Sequence, residues 1–326
     1  MQLNLLVLDG VFDTGLAVLR DAFAAANELA QAQGLRVAPL RVELVGVRPR
    51  VQSALGTALD LRPLEAAPAP DWLVVPAIGA RQPHPLREAL NRPDVREACA
   101  QLAACKERGT PLAAACIGTF VLAEAGVLDG ERATTTWWLA PFFRERYPRV
   151  LLDASRMVVR SGRVLTAGAA LSHMDLALAI VREASLELAE LVARYLVVDT
   201  RPSQSAYAVS GHLAQADPLV QAFERWARAR LGEGFSLDAA AAALAVSKRT
   251  LARRTQQVLG KSPLALFQDL RVEHAVHLLR TTPASVERIA ASVGYADPAT
   301  LAALLRRKLG VAPRALRGEA QQPPLR

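Results

Sequence analysis

Short apolar runs rich in β-branched residues alternate with longer alanine- and leucine-rich stretches through the first part of the chain. Leu3–Leu8, Val42–Val47, Trp72–Val75, Leu112–Ala115, Met157–Arg160 and Val164–Thr166 have strand length. Trp72–Val75 and Leu112–Ala115 are apolar throughout, which predicts central strands buried on both faces. Leu16–Ala32, Val95–Arg108, Gly118–Ala125, Leu139–Arg146 and Ser172–Ala184 have helical length and composition. This alternation predicts a doubly wound α/β domain over residues 1–198.

The alternation stops in Thr200-Arg201-Pro202-Ser203-Gln204-Ser205, polar and proline-containing, which reads as linker. Residues 199–234 are expected to be that linker and a connecting helix, Pro218–Leu231. Residues 235–318 read as a second, all-α domain, and residues 319–326, with Gln321-Gln322-Pro323-Pro324, as a flexible tail.

The second domain repeats itself. Ala240, Ala241, Thr250, Leu251, Ala252, Leu259, Gly260, Pro263, Ala265 and Leu266 each recur as the same residue 50 positions later. Each copy reads as helix, short turn, helix. In the first, Leu237–Leu244 and Ala245-Val246 precede a helix capped by Ser247 and ended by Gly260. In the second, Val286–Val293 ends at Gly294, and Asp297 caps a helix opened by Pro298. These are helix-turn-helix proportions, and Arg271–Leu279 is the expected joining helix.

Charge falls in the same place. Of 39 Lys/Arg and 31 Asp/Glu, residues 236–318 hold 13 and 5, so the net charge of +8 sits on the repeated segment. Such a charge by itself fits nucleic acid, an anionic membrane or a basic soluble protein, and its confinement to the repeated segment points to nucleic acid, with a basic helical bundle whose arginines form a solvated face as the alternative. Leu251, Thr255 and Val258 share one face of the first long helix, which turns Arg249, Arg253 and Gln256 toward base edges and leaves Lys248 and Arg254 for phosphates. In the second copy Leu301 and Leu305 point inward. Ala299, Thr300 and Ala303 are placed for thymine methyls, and Arg306, Arg307 and Lys308 for phosphates. The first unit is expected to choose the sequence and the second to hold the duplex, about one DNA turn away.

Met1 to Asp9 has no basic leader and reads as a strand, so no secretory signal is expected. No run approaches the roughly 18 uncharged apolar residues of a membrane span, Pro111–Leu128 being broken by Glu124. The three cysteines, Cys99, Cys105 and Cys116, have neither disulfide nor metal-ligand spacing. A cytoplasmic protein with reduced thiols is expected, with no metal, cofactor or membrane partner.

Ile289-Ala290-x-x-Val293-Gly294-Tyr295-x-Asp297, followed by Gly310-x-x-Pro313-x-x-Leu316-Arg317, makes residues 235–317 resemble the DNA-binding domain of the AraC/XylS family. Two positions depart from it. Thr255 stands where the family usually has an aromatic core residue, and Ala303 where many members carry arginine or another polar residue. In the first domain, Leu112-Ala113-Ala114-Ala115-Cys116-Ile117-Gly118-Thr119 runs from strand to helix like a nucleophile elbow. A thiol near a helix N-terminus can have a lowered pKa. With Ala123-Glu124-Ala125-Gly126-Val127-Leu128-Asp129-Gly130 and Ala133-Thr134-Thr135-Thr136-Trp137, this region resembles the PfpI-like, class I glutamine-amidotransferase-like domain, with a flavodoxin-like parallel sheet. The combination is similar to the GlxA-type group of transcription regulators over nearly the whole chain.

The resemblance implies a sequence-specific DNA-binding transcription regulator with a ligand-sensing first domain. Enzymatic relatives place a base, commonly histidine, beside the thiol. Here Thr136 follows Thr134-Thr135, and threonine takes no proton at neutral pH. His173 is the nearest substitute, with a packed histidine as the plainer reading. No catalytic residue is therefore expected. Asp13, Cys116, Ile117, Thr136 and Trp137 are the expected ligand-binding residues, at the carboxyl ends of the strands. A helix-cap or loop role is the alternative for Asp13. Trp137 and Trp138 are candidates to close over a nitrogen-containing, cationic metabolite, with core packing as the alternative for one of them. Expected partners are double-stranded DNA, a small-molecule effector, a second copy paired through the first domain, and RNA polymerase. Two other readings stay open: a cysteine-dependent hydrolase or amidase with a DNA-binding anchor, and a redox sensor using Cys116.

Overall fold

The computed structural model describes residues 1–199, 203–204, 217–309 and 312–318. The expected tail, most of the linker and Gly310 of the C-terminal motif lie outside the described residues. The chain divides into two units, Met1–Ser205 and Ala206–Arg326.

The first unit opens with β1 (Gln2–Leu6), α1 (Asp13–Ala32) and β2 (Arg41–Gly46). A separate hairpin, β3 (Arg50–Gln52) and β4 (Ala58–Asp60), precedes β5 (Arg62–Pro63) and β6 (Trp72–Val75). Then come α2 (Pro83–Leu90), α3 (Pro93–Glu107), β7 (Leu112–Ala115), α4 (Gly118–Glu124), β8 (Arg132–Ala133), α5 (Ala140–Arg146) and β9 (Leu151–Leu152). β10 (Val158–Ser161), β11 (Val164–Ala167), α6 (Ser172–Ala184) and α7 (Leu186–Tyr195) complete it. The main sheet has the order β10-β11-β7-β6-β1-β2-β5 and is parallel except for β10.

Every residue of β6 and β7 is buried, as their unbroken apolarity predicts. One face of the sheet packs Leu19 and Phe23 of α1 with Ile180 of α6 and Val192 of α7. The other packs Leu102 of α3 with Phe120 of α4 and Phe143 of α5. The hairpin, α2 and α7 are additions to the elements expected from sequence. β3 and β4 are too short to show a period, and α7 follows α6 after a single residue, Ser185, whose hydroxyl caps it.

From β1 the chain passes to β2 on one side and later returns to β6 on the other, so the sheet's switch point lies between β1 and β6. The His173 imidazole is wedged between the segments that follow these strands. Its Nδ1 donates to Ala170 O at 2.6 Å, and its Nε2 accepts from the Ala77 amide at 3.2 Å. A Cβ on Gly15 would lie 2.6 Å from Nε2. Burial lowers its pKa to about 4. The ring is neutral, with both nitrogens held by backbone.

The second unit contains α8 (Pro218–Arg228), α9 (Leu237–Ala243), α10 (Lys248–Leu259), α11 (Pro263–Thr281), α12 (Val286–Ser292), α13 (Pro298–Leu309) and α14 (Pro313–Gly318). One core joins Val220 and Phe223 of α8 with Leu251 of α10 and Phe267 of α11. Another joins Val272 and Leu279 of α11 with Ile289 of α12 and Leu301 and Leu305 of α13. α8, expected as a connecting helix, is thus part of the first core, because Val220, Phe223 and Ala227 form one fully buried stripe. The division after Ser205 falls within the stretch that reads as linker.

Helix α11 runs through both cores, and Arg271 lies near its middle, only 9% exposed. The guanidinium donates to Leu231 O at 2.9 Å and to Glu233 O. It also lies 4.7 Å from the Phe267 ring and 5.2 Å from the Tyr295 ring. Gly294, at φ +79, leaves room for it, since a Cβ there would fall 2.1 Å from Nη2. One cation therefore links Leu231 and Phe267 of the first core to Tyr295 of the second helix-turn-helix unit.

The folded state keeps His173 neutral down to about pH 4, whereas an unfolded histidine protonates near 6.5. The unfolded state binds the extra proton between these values, so stability falls as pH drops through the window, by about 3 kcal/mol at its lower end. Urea titrations at pH 7 and pH 4.5 should show a smaller loss in His173→Asn than in wild type. Arg271→Ala leaves buried carbonyls unpaired and should destabilise the second unit by about 3 kcal/mol. Calorimetry of the full chain should show the first unit's transition unmoved.

Candidate ligand site and nucleic-acid interface

β7 ends at Ala115 and α4 begins at Gly118, so the chain turns from strand to helix within two residues. Cys116 takes the unusual backbone, with φ +56. Its amide donates to Ala167 O at 2.9 Å, and its carbonyl accepts the Thr135 hydroxyl at 2.7 Å. Gly118 permits the close crossing, because a Cβ there would fall 2.2 Å from Val75 O. The elbow expected from sequence is present.

Its chemistry differs from the expectation. Burial pushes the Cys116 thiol up to about 12, outweighing the Ile117 amide, the Thr136 hydroxyl and the Arg81 guanidinium, which pull it down. The lowering expected at a helix N-terminus is overturned by desolvation, the side chain being only 3% exposed. At neutral pH the group is a thiol. Thr136 is fully buried beside it, and among the described residues its hydroxyl and that of Thr119 make no hydrogen bond of ordinary geometry. His173 supplies no base, since its ring is held by Ala77 and Ala170.

Cys116, Ile117 and Thr136 come together at this turn. Asp13 is engaged elsewhere: one carboxylate oxygen accepts from the Ser53 hydroxyl and the other from the Leu55 amide at 3.0 Å. It ties a loop to the first turn of α1. Trp137 and Trp138 are half-buried and meet edge to face at 5.5 Å, and Trp138 packs against the core. Sequence reading missed two contributors. Arg81 follows β6 in Gly79-Ala80-Arg81 and lies 5.8 Å from the Phe12 ring, and a charge just past a buried strand was its only signal. Gln204 had none.

In the second unit, Leu251 and Thr255 of α10 are fully buried while Lys248, Arg249, Arg253 and Gln256 are exposed, as the periodicity predicts. Thr255 satisfies its buried hydroxyl by donating to Leu251 O at 2.8 Å. Ser247 caps the helix by accepting from the Thr250 amide at 3.0 Å, and Gly260 ends it at φ +67. On α13, Leu301, Leu304 and Leu305 point inward and Ala299, Thr300, Ala303, Arg306 and Arg307 outward. Asp297 caps this helix through the Ala299 amide at 2.9 Å. Three expected phosphate contacts are already paired: Lys248 with Asp238 at 2.8 Å, Arg254 with the buried Asp217, and Lys308 with Asp269, which also takes Lys261 at 2.6 Å. Burial and the nearby Lys261 lower the Lys308 pKa to about 8.

Residues 2–183 match the DJ-1/PfpI family, and residues 240–319 match a helix-turn-helix domain. The chain is similar to the HTH-type transcriptional regulator GbdR of Pseudomonas aeruginosa, 28% identical over 229 residues, covering 69% of this chain and 62% of that one. It is also similar to the HTH-type transcriptional regulator GlxA of Rhizobium meliloti, 27% identical over 205 residues, covering 61% and 63%. The chain thus spans less than two thirds of the length of either relative. A solved AraC family transcriptional regulator from Pseudomonas putida matches with a TM-score of 0.50 at 25% identity, covering 60% of this chain and 98% of that one. The chain belongs to the DJ-1/PfpI family, with a helix-turn-helix domain following that fold.

Proposed function

We propose that the protein is a sequence-specific DNA-binding transcription regulator whose first unit binds a small molecule at Cys116 and catalyses no reaction. The observation that carries the proposal is the outward row Arg249, Arg253 and Gln256 on a helix whose opposite face is locked into a core. Arginine pairs with guanine and glutamine with adenine in the major groove. On α13, Ala299, Thr300 and Ala303 suit thymine methyls, while Arg306 and Arg307 suit phosphates. Lys248, Arg254 and Lys308 reach phosphate by exchanging their present carboxylates for it.

For the first unit, the protonated thiol, Thr136 in the place of a base and the backbone-bound His173 support ligand binding over the hydrolase or amidase reading. The same desolvation disfavours a redox sensor, because the thiolate is the oxidisable form. The names of both relatives, transcriptional regulators, point the same way. The proposed partners are duplex DNA, a small effector held by Cys116, Ile117, Thr136 and Trp137, a second copy paired through the first unit, and RNA polymerase. Acting on DNA, it would work in the cytoplasm. Among the described residues, no helix is long and apolar enough to cross a membrane.

Anisotropy titrations on a duplex selected from random sequence test the DNA half. Arg249→Ala or Arg253→Ala should cost about 1–3 kcal/mol on the selected site and much less on random duplex. Arg307→Ala should weaken both alike and reduce the slope of log K against log salt by about 1. Unchanged binding in all three variants removes the assignment of these helices. For the first unit, amide and ester substrates should give no thiol-dependent turnover. Turnover that disappears in Cys116→Ser restores the hydrolase reading.

A further inference from the structure

Gln204 falls in the stretch that reads as linker, yet it is fully buried. It is the penultimate residue of the first unit. Its amide donates to Ser155 O at 2.9 Å, the Ser203 hydroxyl donates to the same oxygen at 2.8 Å, and Ser203 forms an antiparallel bridge with Arg156. The Gln204 side chain reaches further in. Its Nε2 donates to Thr135 O at 2.8 Å, with Thr134 Oγ1 at 3.2 Å and Arg156 O at 3.3 Å also in reach. Its Oε1 is buried without a partner among the described residues. The carboxamide lies against Gly168, where a Cβ would fall 2.6 Å from Oε1.

These contacts form the back of the Cys116 turn. Thr135 holds the Cys116 carbonyl, Thr136 lies beside the thiol, and Gly168 follows Ala167, whose carbonyl holds the Cys116 amide. A buried carboxamide with an unmet oxygen is costly to keep. We propose that Gln204 is a positioning residue of the Cys116 site, through which the state of that site passes to the chain leading into the second unit. An occupant that displaces Thr134–Thr136 moves the groups that hold Gln204. By linkage, release of Gln204 loosens the Cys116 turn. The proposal deepens the reading of Cys116 as a ligand site and rests on it.

Alkylation of the full chain by N-ethylmaleimide, followed at each cysteine by mass spectrometry, tests it without any ligand. Cys99 and Cys105, both buried, serve as internal references. Gln204→Ala removes hydrogen bonds from the wall and should raise the Cys116 rate about tenfold with Cys99 and Cys105 unchanged. Gly168→Ala should do the same by displacing the carboxamide, and the double variant should exceed neither single one. In the reverse direction, hydrogen exchange at the Gln204 amide should quicken once Cys116 has been alkylated. An unmoved Cys116 rate, a rise at all three cysteines, additive effects in the double variant, or unchanged exchange at Gln204 each overturns the proposal. The reading of Cys116 as a ligand site fails separately, by absence of any small-molecule response in a chain whose thiol rates behave as stated.

Discussion

Turning a buried strand into a buried helix within two residues is the constraint on which the first unit's site depends. It requires left-handed backbone at Cys116, φ +56, which costs about 1–3 kcal/mol and persists only where neighbours over-determine it. They do: Ala167 fixes the amide, Thr135 the carbonyl, and the bare Cα of Gly118 lets the new helix pass under Val75. The thiol therefore reaches the carboxyl ends of the strands as a consequence of the turn. The same turn serves a nucleophile elsewhere, so its presence says nothing about chemistry. Solvation does, and here the thiol has too little of it to ionise.

The second unit depends on a buried cation. An arginine in a core is tolerated only when its donors are met, and Arg271 meets the Leu231 and Glu233 carbonyls ahead of the first helix-turn-helix, the Phe267 ring of its own helix and the Tyr295 ring of the second. Asp269, on the same helix, gathers Lys261 from just past α10 of the first helix-turn-helix and Lys308 from α13 of the second. Side-chain contacts thus add to α11 in setting how the two copies stand. The duplication is symmetric in packing and asymmetric outside it: α10 presents arginines and glutamine along its length, whereas α13 presents alanines and threonine first and arginines late.

Much of this is legible in sequence where one dimension carries the cause. Unbroken apolarity marks β6 and β7, and the spacing of Leu251, Thr255 and Val258 sets which face of α10 is outward. Ser247 and Asp297 are caps because the residues after them start helices. What escapes depends on distant partners. Lys248, Arg254 and Lys308 look like Arg249 and Arg307 until Asp238, Asp217 and Asp269 arrive from other elements. Gln204 looks like linker because nothing local says that Thr135 O is waiting for it. The Cys116 pKa escapes for the same reason, since a nearby helix start is visible in sequence while burial is a sum over the whole fold.

Three positions that an enzyme of this shape could use are each held by other work. Asp13 ties down a loop, His173 fills the sheet's switch point, and Thr136 lies in the wall beside the thiol. Restoring histidine at Thr136 alone would not assemble a working pair. The new imidazole would enter the same desolvated site, where burial lowers its proton affinity while raising that of the thiol, so transfer between them becomes harder. Arg81 already pulls the thiol down and is outweighed. Chemistry would require water or a closer cation, and opening the site to either disturbs the wall on which Thr135 and Gln204 meet. The burial that keeps the thiol protonated and the hydrogen bonds that join Thr135 to Gln204 thus belong to one packed wall.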